Sequence, residues 1–184
     1  MVQIRKVTRA DYPNGKKVMY EYTSDKYYDV CLKENDNGWR MDLSLKDFDT
    51  PFHKYLEVEI FEDYIEEIEC YVAEVGKKEV GIVSFHHEKW NNVVRIVDIH
   101  INQAEQKKGI GSRLMALVKK RACQMQARAV VLETQTSNYQ AIQFYKKHGF
   151  DLIGFDTISY SNEDIRKKEV RLELGFVIKQ SIEC

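Results

Sequence analysis

Two prolines, Pro13 and Pro51, are all that this chain of 184 residues contains, and its glycines number only nine. That scarcity, with no low-complexity tract and no internal repeat, excludes collagen-like, linker-rich and solenoid organisation. The length fits one domain with a sizeable core, residues 1–184. Cys31, Cys70, Cys123 and Cys184 lack paired metal-type spacing, and a chain of this size needs no disulfide staples. They are expected to be thiols in a reducing cytosol. No apolar run approaches the roughly 18 residues of a membrane span. Met1-Val2-Gln3-Ile4-Arg5-Lys6 lacks the apolar core of a signal peptide, so a cytoplasmic protein is expected. The formal net charge of -1 carries no basic excess for nucleic acid or an anionic membrane. The expected partners therefore include neither.

What the chain does have is one informative stretch, from Val93 to Ser112. In its first part Val94, Ile96, Val97, Ile99 and Ile101 are interleaved with Arg95, Asp98 and His100, a strand pattern rich in β-branched residues. A polar link follows, then Lys107-Lys108-Gly109-Ile110-Gly111-Ser112. After it Ile110, Leu114, Leu117, Val118 and Arg121 fall at helical spacing. The order is strand, glycine turn, helix. The first N–H groups of a helix have no intrahelical partner, and its dipole is positive at that end. Glycines there let an anion approach the backbone, and Lys107, Lys108 and Arg113 add charge, so a diphosphate fits. The turn is not a Walker A loop, which needs Gly-Lys-Ser/Thr, and it lacks the third glycine of a dinucleotide fingerprint. A plain turn with two glycines also fits these residues.

Elsewhere, Val2–Val7 reads as a strand, and Thr8 or Asp11 as a helix cap. Lys16–Pro51 is expected to hold helices and loops, with Val18, Met19, Tyr22 and Tyr27 lining a helix and Asn35-Asp36-Asn37-Gly38 making a turn. Phe52–Ile68 is acidic, with Glu57, Glu59, Glu62, Asp63, Glu66 and Glu67. It reads either as a solvated helix or strand edge, or as a rim attracting a cationic amine. Glu69–Val75 and Glu79–His87 form a hairpin, so three antiparallel strands precede the glycine turn. Ala129–Thr134 is an apolar strand, parallel to the Val93 strand by the handedness of such crossovers. A helix follows from Asn138 to Gly149, and Phe150–Tyr160 with Glu169–Ile178 closes the chain as a hairpin joined by the charged segment Asn162–Lys168. His86, His87 and His100 do not have the spacing of a metal set, and no metal is expected.

Gln106-Lys107-Lys108-Gly109-Ile110-Gly111 resembles the Gln/Arg-x-x-Gly-x-Gly/Ala signature of the GNAT N-acetyltransferases. About thirty residues on, Asn138-Tyr139-Gln140-Ala141-Ile142-Gln143-Phe144-Tyr145-Lys146-Lys147-His148-Gly149-Phe150 resembles that family's Asn-x-x-Ala-x-x-Phe-Tyr-x-x-x-Gly-Phe motif. The resemblance runs from about Ile68 to Ile178. It implies a GNAT fold: a mixed, mostly antiparallel sheet of about seven strands, flanked by helices and splayed between the fourth and fifth strands. Leu132-Glu133-Thr134-Gln135 and Gly154-Phe155-Asp156-Thr157 add a narrower resemblance to streptothricin acetyltransferases.

The resemblance also implies the chemistry. Acetyl-CoA is the expected cofactor and a primary amine of a small cationic molecule the acceptor, with a homodimer compatible. Acetylation of a protein amine, or a non-catalytic acyl-CoA-binding module, are the alternatives. Gln106 through Ser112 would hold the phosphates, and the main chain of Ile99, His100 and Ile101 would pair with the pantetheine arm. An amide near Ile101 would face the thioester oxygen. Tyr145 matches the position of the general acid and Asn138 one that contacts the cofactor. Some family members carry a glutamate as base on the strand before the turn. Arg95 corresponds to it here, so Asp98 or Glu133 would bind the acceptor cation or deprotonate it through water, unless each is a structural carboxylate.

Overall fold

The computed structural model describes residues 1–61 and 67–179. Its elements are β1 (Val2–Val7), β2 (Lys17–Asn35), β3 (Gly38–Glu59), β4 (Glu69–Val75), β5 (Lys78–Glu88), β6 (Val93–Ile101), α1 (Ile110–Gln124), β7 (Ala129–Gln135), α2 (Tyr139–Lys147), β8 (Asp151–Asp156), α3 (Asp164–Lys167) and β9 (Arg171–Val177). Seven strands form one mixed sheet in the order β1-β4-β5-β6-β7-β9-β8, and β2 pairs with β3 alone. The expected sheet is present. Thr8 and Asp11 do bracket a helical start, but Arg9–Asp11 is a single 3-10 turn, closed by the Thr8 amide on Asp11 Oδ2 at 2.7 Å. Asn162–Lys168 holds the one-turn helix α3.

The expectation for Lys16–Pro51 was wrong. Instead of helices and loops, the segment is most of a long two-stranded ribbon, 19 residues in β2 and 22 in β3, turning at Asp36-Asn37. A ribbon with water on much of both faces need not alternate cleanly, so its period-2 signal is blurred. Its charged residues pair across the strands, as in Lys46 with Asp29 at 2.6 Å. The aromatic residues Tyr20, Tyr22, Tyr27, Tyr28, Trp39 and Phe48 were the better guide. The helical spacing of Val18, Met19, Tyr22 and Tyr27 has no helix behind it.

The described chain forms two compact units. The first comprises residues 1–20, 56–132 and 175 onward, the second residues 21–55 and 133–174. In the first, β1 runs antiparallel to β4 (Val2 opposite Val75), β4 to β5 and β5 to β6. β6 and β7 then run parallel through three pairs, from Val93–Ala129 to Arg95–Val131, and the pairing stops there. The crossover between them is α1, which packs on β4, β5 and β6. Ile110, Leu114, Met115, Val118 and Ala122 are its buried face, at i, i+4, i+5, i+8 and i+12. Arg121, one residue short of that stripe's end, lies over β4, its Nε 3.0 Å from Glu69. Gly81 lets β5 approach β6 closely, because an added Cβ would lie 2.6 Å from Ile101 Cδ1 and 3.2 Å from the His100 carbonyl.

The second unit is tied together at Thr136, which is fully buried. Its carbonyl accepts the Tyr28 amide at 3.0 Å, its amide donates to the Val170 carbonyl at 2.9 Å, and its hydroxyl donates to the Lys168 carbonyl at 2.8 Å. One residue thus joins β2, β7 and the start of β9.

Leu114 is fully buried in the middle of α1. Leu114→Ala should cost about 2–5 kcal/mol of unfolding free energy, as expected for a cavity that packed neighbours cannot fill. Urea unfolding checks this; a loss below about 1 kcal/mol would mean α1 is loosely seated.

Candidate active site

The strand-to-helix turn is the first candidate region. The Asn102 amide bonds to the Val80 carbonyl at 2.9 Å, anchoring the end of β6, and a 3-10 turn over Gln103–Glu105 redirects the chain. The Gln106 side chain folds back onto the Ile101 carbonyl at 3.1 Å. Lys107 and Gly109 both take positive φ, 61° and 83°. Gly109 is the N-cap of α1, in the left-handed region that glycine enters without strain. An added Cβ there would meet nothing within 4 Å, so it is conformation rather than crowding that calls for glycine. Gly109 brings no side chain to cap the helix and the first turn holds no acid, so the positive end of α1 is left to backbone donors. Lys107, Lys108 and Arg113 are exposed around it, with Lys108 Nζ 3.2 Å from Glu105. This is suited to an anion.

On the same strand Asp98 is 7% exposed. The β5–β6 register shifts just before it: Phe85 faces Ile96 and Ser84 faces Asp98, leaving Val97 as the extra residue of a bulge. That bulge explains the imperfect alternation at Val97. It sets Asp98 directly opposite Ser84, whose hydroxyl donates to Oδ2 at 2.8 Å. Tyr20, from the start of β2, donates its hydroxyl to Oδ1, also at 2.8 Å. The His100 ring meets the Tyr20 ring edge-on at 5.0 Å, and burial holds its pKa below the usual histidine range. Burial, and then the charge of Asp98, push the Cys70 thiol up to about 12, so it is an inert core group.

The second unit carries Glu133, Asn138 and Tyr145. Glu133 lies 2.7 Å from Arg171 and accepts from the Tyr160 hydroxyl at 3.1 Å. Burial, then that carboxylate, raise the Tyr160 pKa well above the ordinary phenol value. Asn138 is the N-cap of α2, its side-chain oxygen accepting the Ala141 amide at 3.2 Å. Tyr145 is 7% exposed on α2, its ring against Phe144 at 5.5 Å and Phe150 at 6.1 Å. Nearby Tyr22 is 2.9 Å from the Ser137 hydroxyl, and burial pushes its phenol up to about 12.

The structure thus gathers Asp98, Ile99, His100, Ile101 and Gln106 through Ser112 on β6 and the start of α1. Glu133 is committed to an ion pair. Tyr20 and Ser84, the partners of Asp98, were missed by sequence reasoning. Ser84 had a signal, as the one polar residue in Val80–Phe85, but Tyr20 lay in the segment read as helix. Of the acidic stretch, Glu62, Asp63 and Glu66 lie outside the described residues. Glu57 pairs with Lys17 at 2.6 Å, Glu59 accepts the Lys16 amide at 2.7 Å and Glu67 pairs with Lys89 at 2.7 Å. These three match a solvated face better than a steering rim.

Residues 39–150 match the model of the Acetyltransferase (GNAT) family. A streptothricin acetyltransferase of Escherichia coli is 33% identical over 99 residues, 54% of this chain and 56% of that protein. Streptothricin acetyltransferase A of Bacillus subtilis is 37% identical over 73 residues, 40% of this chain and 42% of that protein. The chain therefore matches about half the length of these curated relatives. In three dimensions it resembles a crystal structure of nourseothricin acetyltransferase with a TM-score of 0.77 at 23% identity, covering 97% of this chain and 99% of that one. A Bacillus anthracis structure in complex with acetyl coenzyme A gives 0.76 at 24% identity over 97% and 98%. At such identities these two likenesses establish the fold. With the family match covering most of the chain, the conclusion is that this protein belongs to the GNAT acetyltransferase family.

Proposed function

We propose that this protein is a cytoplasmic acetyl-CoA-dependent N-acetyltransferase that acetylates a primary amine of a small cationic acceptor, with streptothricin the first candidate. One observation carries the proposal. The uncapped, acid-free N-terminus of α1, entered through Gly109 at φ 83°, follows directly on the end of β6. Such a helix end binds a diphosphate through its backbone N–H groups and dipole. β6 continues through Ile101 after its last β7 pair at Arg95. Ile99, His100 and Ile101 are therefore proposed to receive the pantetheine arm by edge addition. The streptothricin acetyltransferases among the relatives supply the candidate acceptor. No helix of the described chain is long and apolar enough to cross a membrane. A homodimer is compatible with this reading, and neither nucleic acid nor membrane takes part in it.

In the proposed reaction the acceptor nitrogen attacks the thioester carbon, and a backbone amide near Ile101 meets the developing oxyanion. Tyr145 is the proposed acid for the departing thiolate. Asn138 caps the first turn of α2, the helix whose last turn carries Tyr145, and is proposed to contact the cofactor as well. Of the two candidate carboxylates, Asp98 is favoured. It is held by neutral hydroxyl donors, whereas Glu133 is already bound to the Arg171 guanidinium.

Thiol release from acetyl-CoA with streptothricin, spermidine, aminoglycosides and lysyl peptides tests the activity. Turnover restricted to peptides would replace the small-molecule reading. CoA binding without turnover on any amine would leave a binding module. Gly109→Asp and Gly111→Asp should abolish CoA binding in calorimetry, because each sets a carboxylate against the diphosphate. Gly109→Ala, strained by positive φ but uncharged, should lose far less. Equal affinity in folded Gly109→Asp would remove the phosphate site.

Tyr145→Phe should leave CoA affinity within a few-fold and lower kcat by about 10²-fold, a typical acid contribution. Unchanged kcat with a lowered melting temperature would make Tyr145 a core residue only. Glu133→Gln should leave kcat within about threefold, since it breaks a partly exposed ion pair worth at most about 1 kcal/mol. A loss comparable to that of Asp98→Asn would reverse the choice between the two carboxylates.

A further inference from the structure

We propose that Tyr20 is the group through which Asp98 acts on the acceptor amine, and that Ser84, Asp98 and Tyr20 work as one relay. The inference rests on the acetyltransferase reading above and adds a residue that neither motif contains.

Access from solvent comes first. Ser84 is fully buried, Asp98 is 7% exposed and Tyr20 is half-buried. The three therefore form a line from the core outward, Ser84 Oγ to Asp98 Oδ2 and Asp98 Oδ1 to Tyr20 Oη, each step 2.8 Å. Both carboxylate oxygens already accept a hydroxyl proton, so the acidic group closest to solvent in this line is the phenol. The second step is orientation. A tyrosine hydroxyl has one proton, and here it points at Oδ1. Whatever else meets Tyr20 Oη must therefore donate to it. The negative charge behind the phenol polarises its oxygen and raises its basicity, so an N–H that is becoming acidic is the complementary donor.

The third step is position. Asp98 immediately precedes Ile99 on β6, and three steps of about 3.3 Å each lead from it to Ile101, where the thioester oxygen is proposed to lie. The bulge at Val97 turns Asp98 toward Ser84, and the Tyr20 ring is held against His100 on the same strand. The phenol is thus fixed from two sides, by its hydroxyl on Asp98 and by its ring on His100.

The reaction then balances. A neutral amine forms the new C–N bond to the thioester carbon. The nitrogen, now positively charged, passes a proton to Tyr20 Oη as the Tyr20 proton passes to Asp98 Oδ1. The C–S bond breaks and the thiolate takes a proton from the acid at its own side. Asp98 returns its proton to solvent through Tyr20. In this scheme Tyr20 is the catalytic residue, and Asp98 and Ser84 are positioning residues behind it.

The test is steady-state kinetics on Tyr20→Phe, Asp98→Asn, the double variant and Ser84→Ala, with CoA affinity measured by calorimetry. Tyr20→Phe keeps the ring on His100 and removes only the hydroxyl. It should lower kcat by about 10²-fold with KM for acetyl-CoA and CoA affinity unchanged. The double variant should be no slower than the worse single one, since residues acting as a unit are non-additive. Ser84→Ala should cost less than either. Losses that multiply in the double variant would show that Tyr20 and Asp98 act separately, and full kcat in Tyr20→Phe with only a lowered melting temperature would make the phenol structural; either overturns the relay. Wild type that binds CoA but releases no thiol with any amine would overturn the acetyltransferase reading itself. Wild-type turnover unaffected by Tyr20→Phe would overturn the relay alone.

Discussion

The parallel ladder between β6 and β7 constrains everything around it. Parallel neighbours cannot be joined by a tight turn, so the chain needs a crossover, and α1 is that crossover. Its buried face packs back on β4, β5 and β6, so its N-terminus lies where β6 ends. The link from strand to helix then requires left-handed backbone at Lys107 and Gly109. A positive helix end with donors directed outward follows from this connection. The ladder also ends after three pairs, while β6 runs on for six more residues. Backbone edge and anion site are thus consecutive products of one topological requirement.

The bulge at Val97 is the second constraint, smaller in scale. Without the extra residue the β5–β6 register would not set Asp98 opposite Ser84. A carboxylate this deeply buried is costly unless hydrogen-bonded, and the hydroxyls of Ser84 and Tyr20 meet that need. Glu133 illustrates the other solution. It is partly exposed and pairs with the Arg171 guanidinium. The two carboxylates look alike in sequence and differ in the company that folding gives them.

The ribbon of β2 and β3 shows why the middle of the chain resisted reading. A sheet strand with one dry face must alternate, as β4 does over Glu69–Val72, whereas Val80–Phe85 of β5 is buried on both faces. A two-stranded ribbon is wet on much of both faces and can place Lys, Asp and Tyr in any order that lets charges pair across strands. Thr136 limits this freedom partway along β2, where its carbonyl fixes the Tyr28 amide. Cross-strand ion pairs of modest worth, Lys17–Glu57, Lys26–Asp47 and Lys46–Asp29, lie on both sides of that point.

The sequence by itself determined the elements whose pattern has a single physical cause. The strands β4 and β6 followed from their alternation, and β5 from a short apolar run closed by the turn at Gly76-Lys77. The helix α1 followed from its apolar stripe, and the turn before it from two glycines beside lysines. The cap at Asn138 was legible because its bond is local, made three residues on. Only the tertiary structure decided the ribbon, the partners of Asp98 and the pairing of Glu133. Those depend on residues far apart in the chain, Tyr20 with Asp98 and Glu133 with Arg171. Local periodicity reports which face of an element is dry; it carries no record of which distant side chain will complete a buried carboxylate, because that is fixed by sheet order and register.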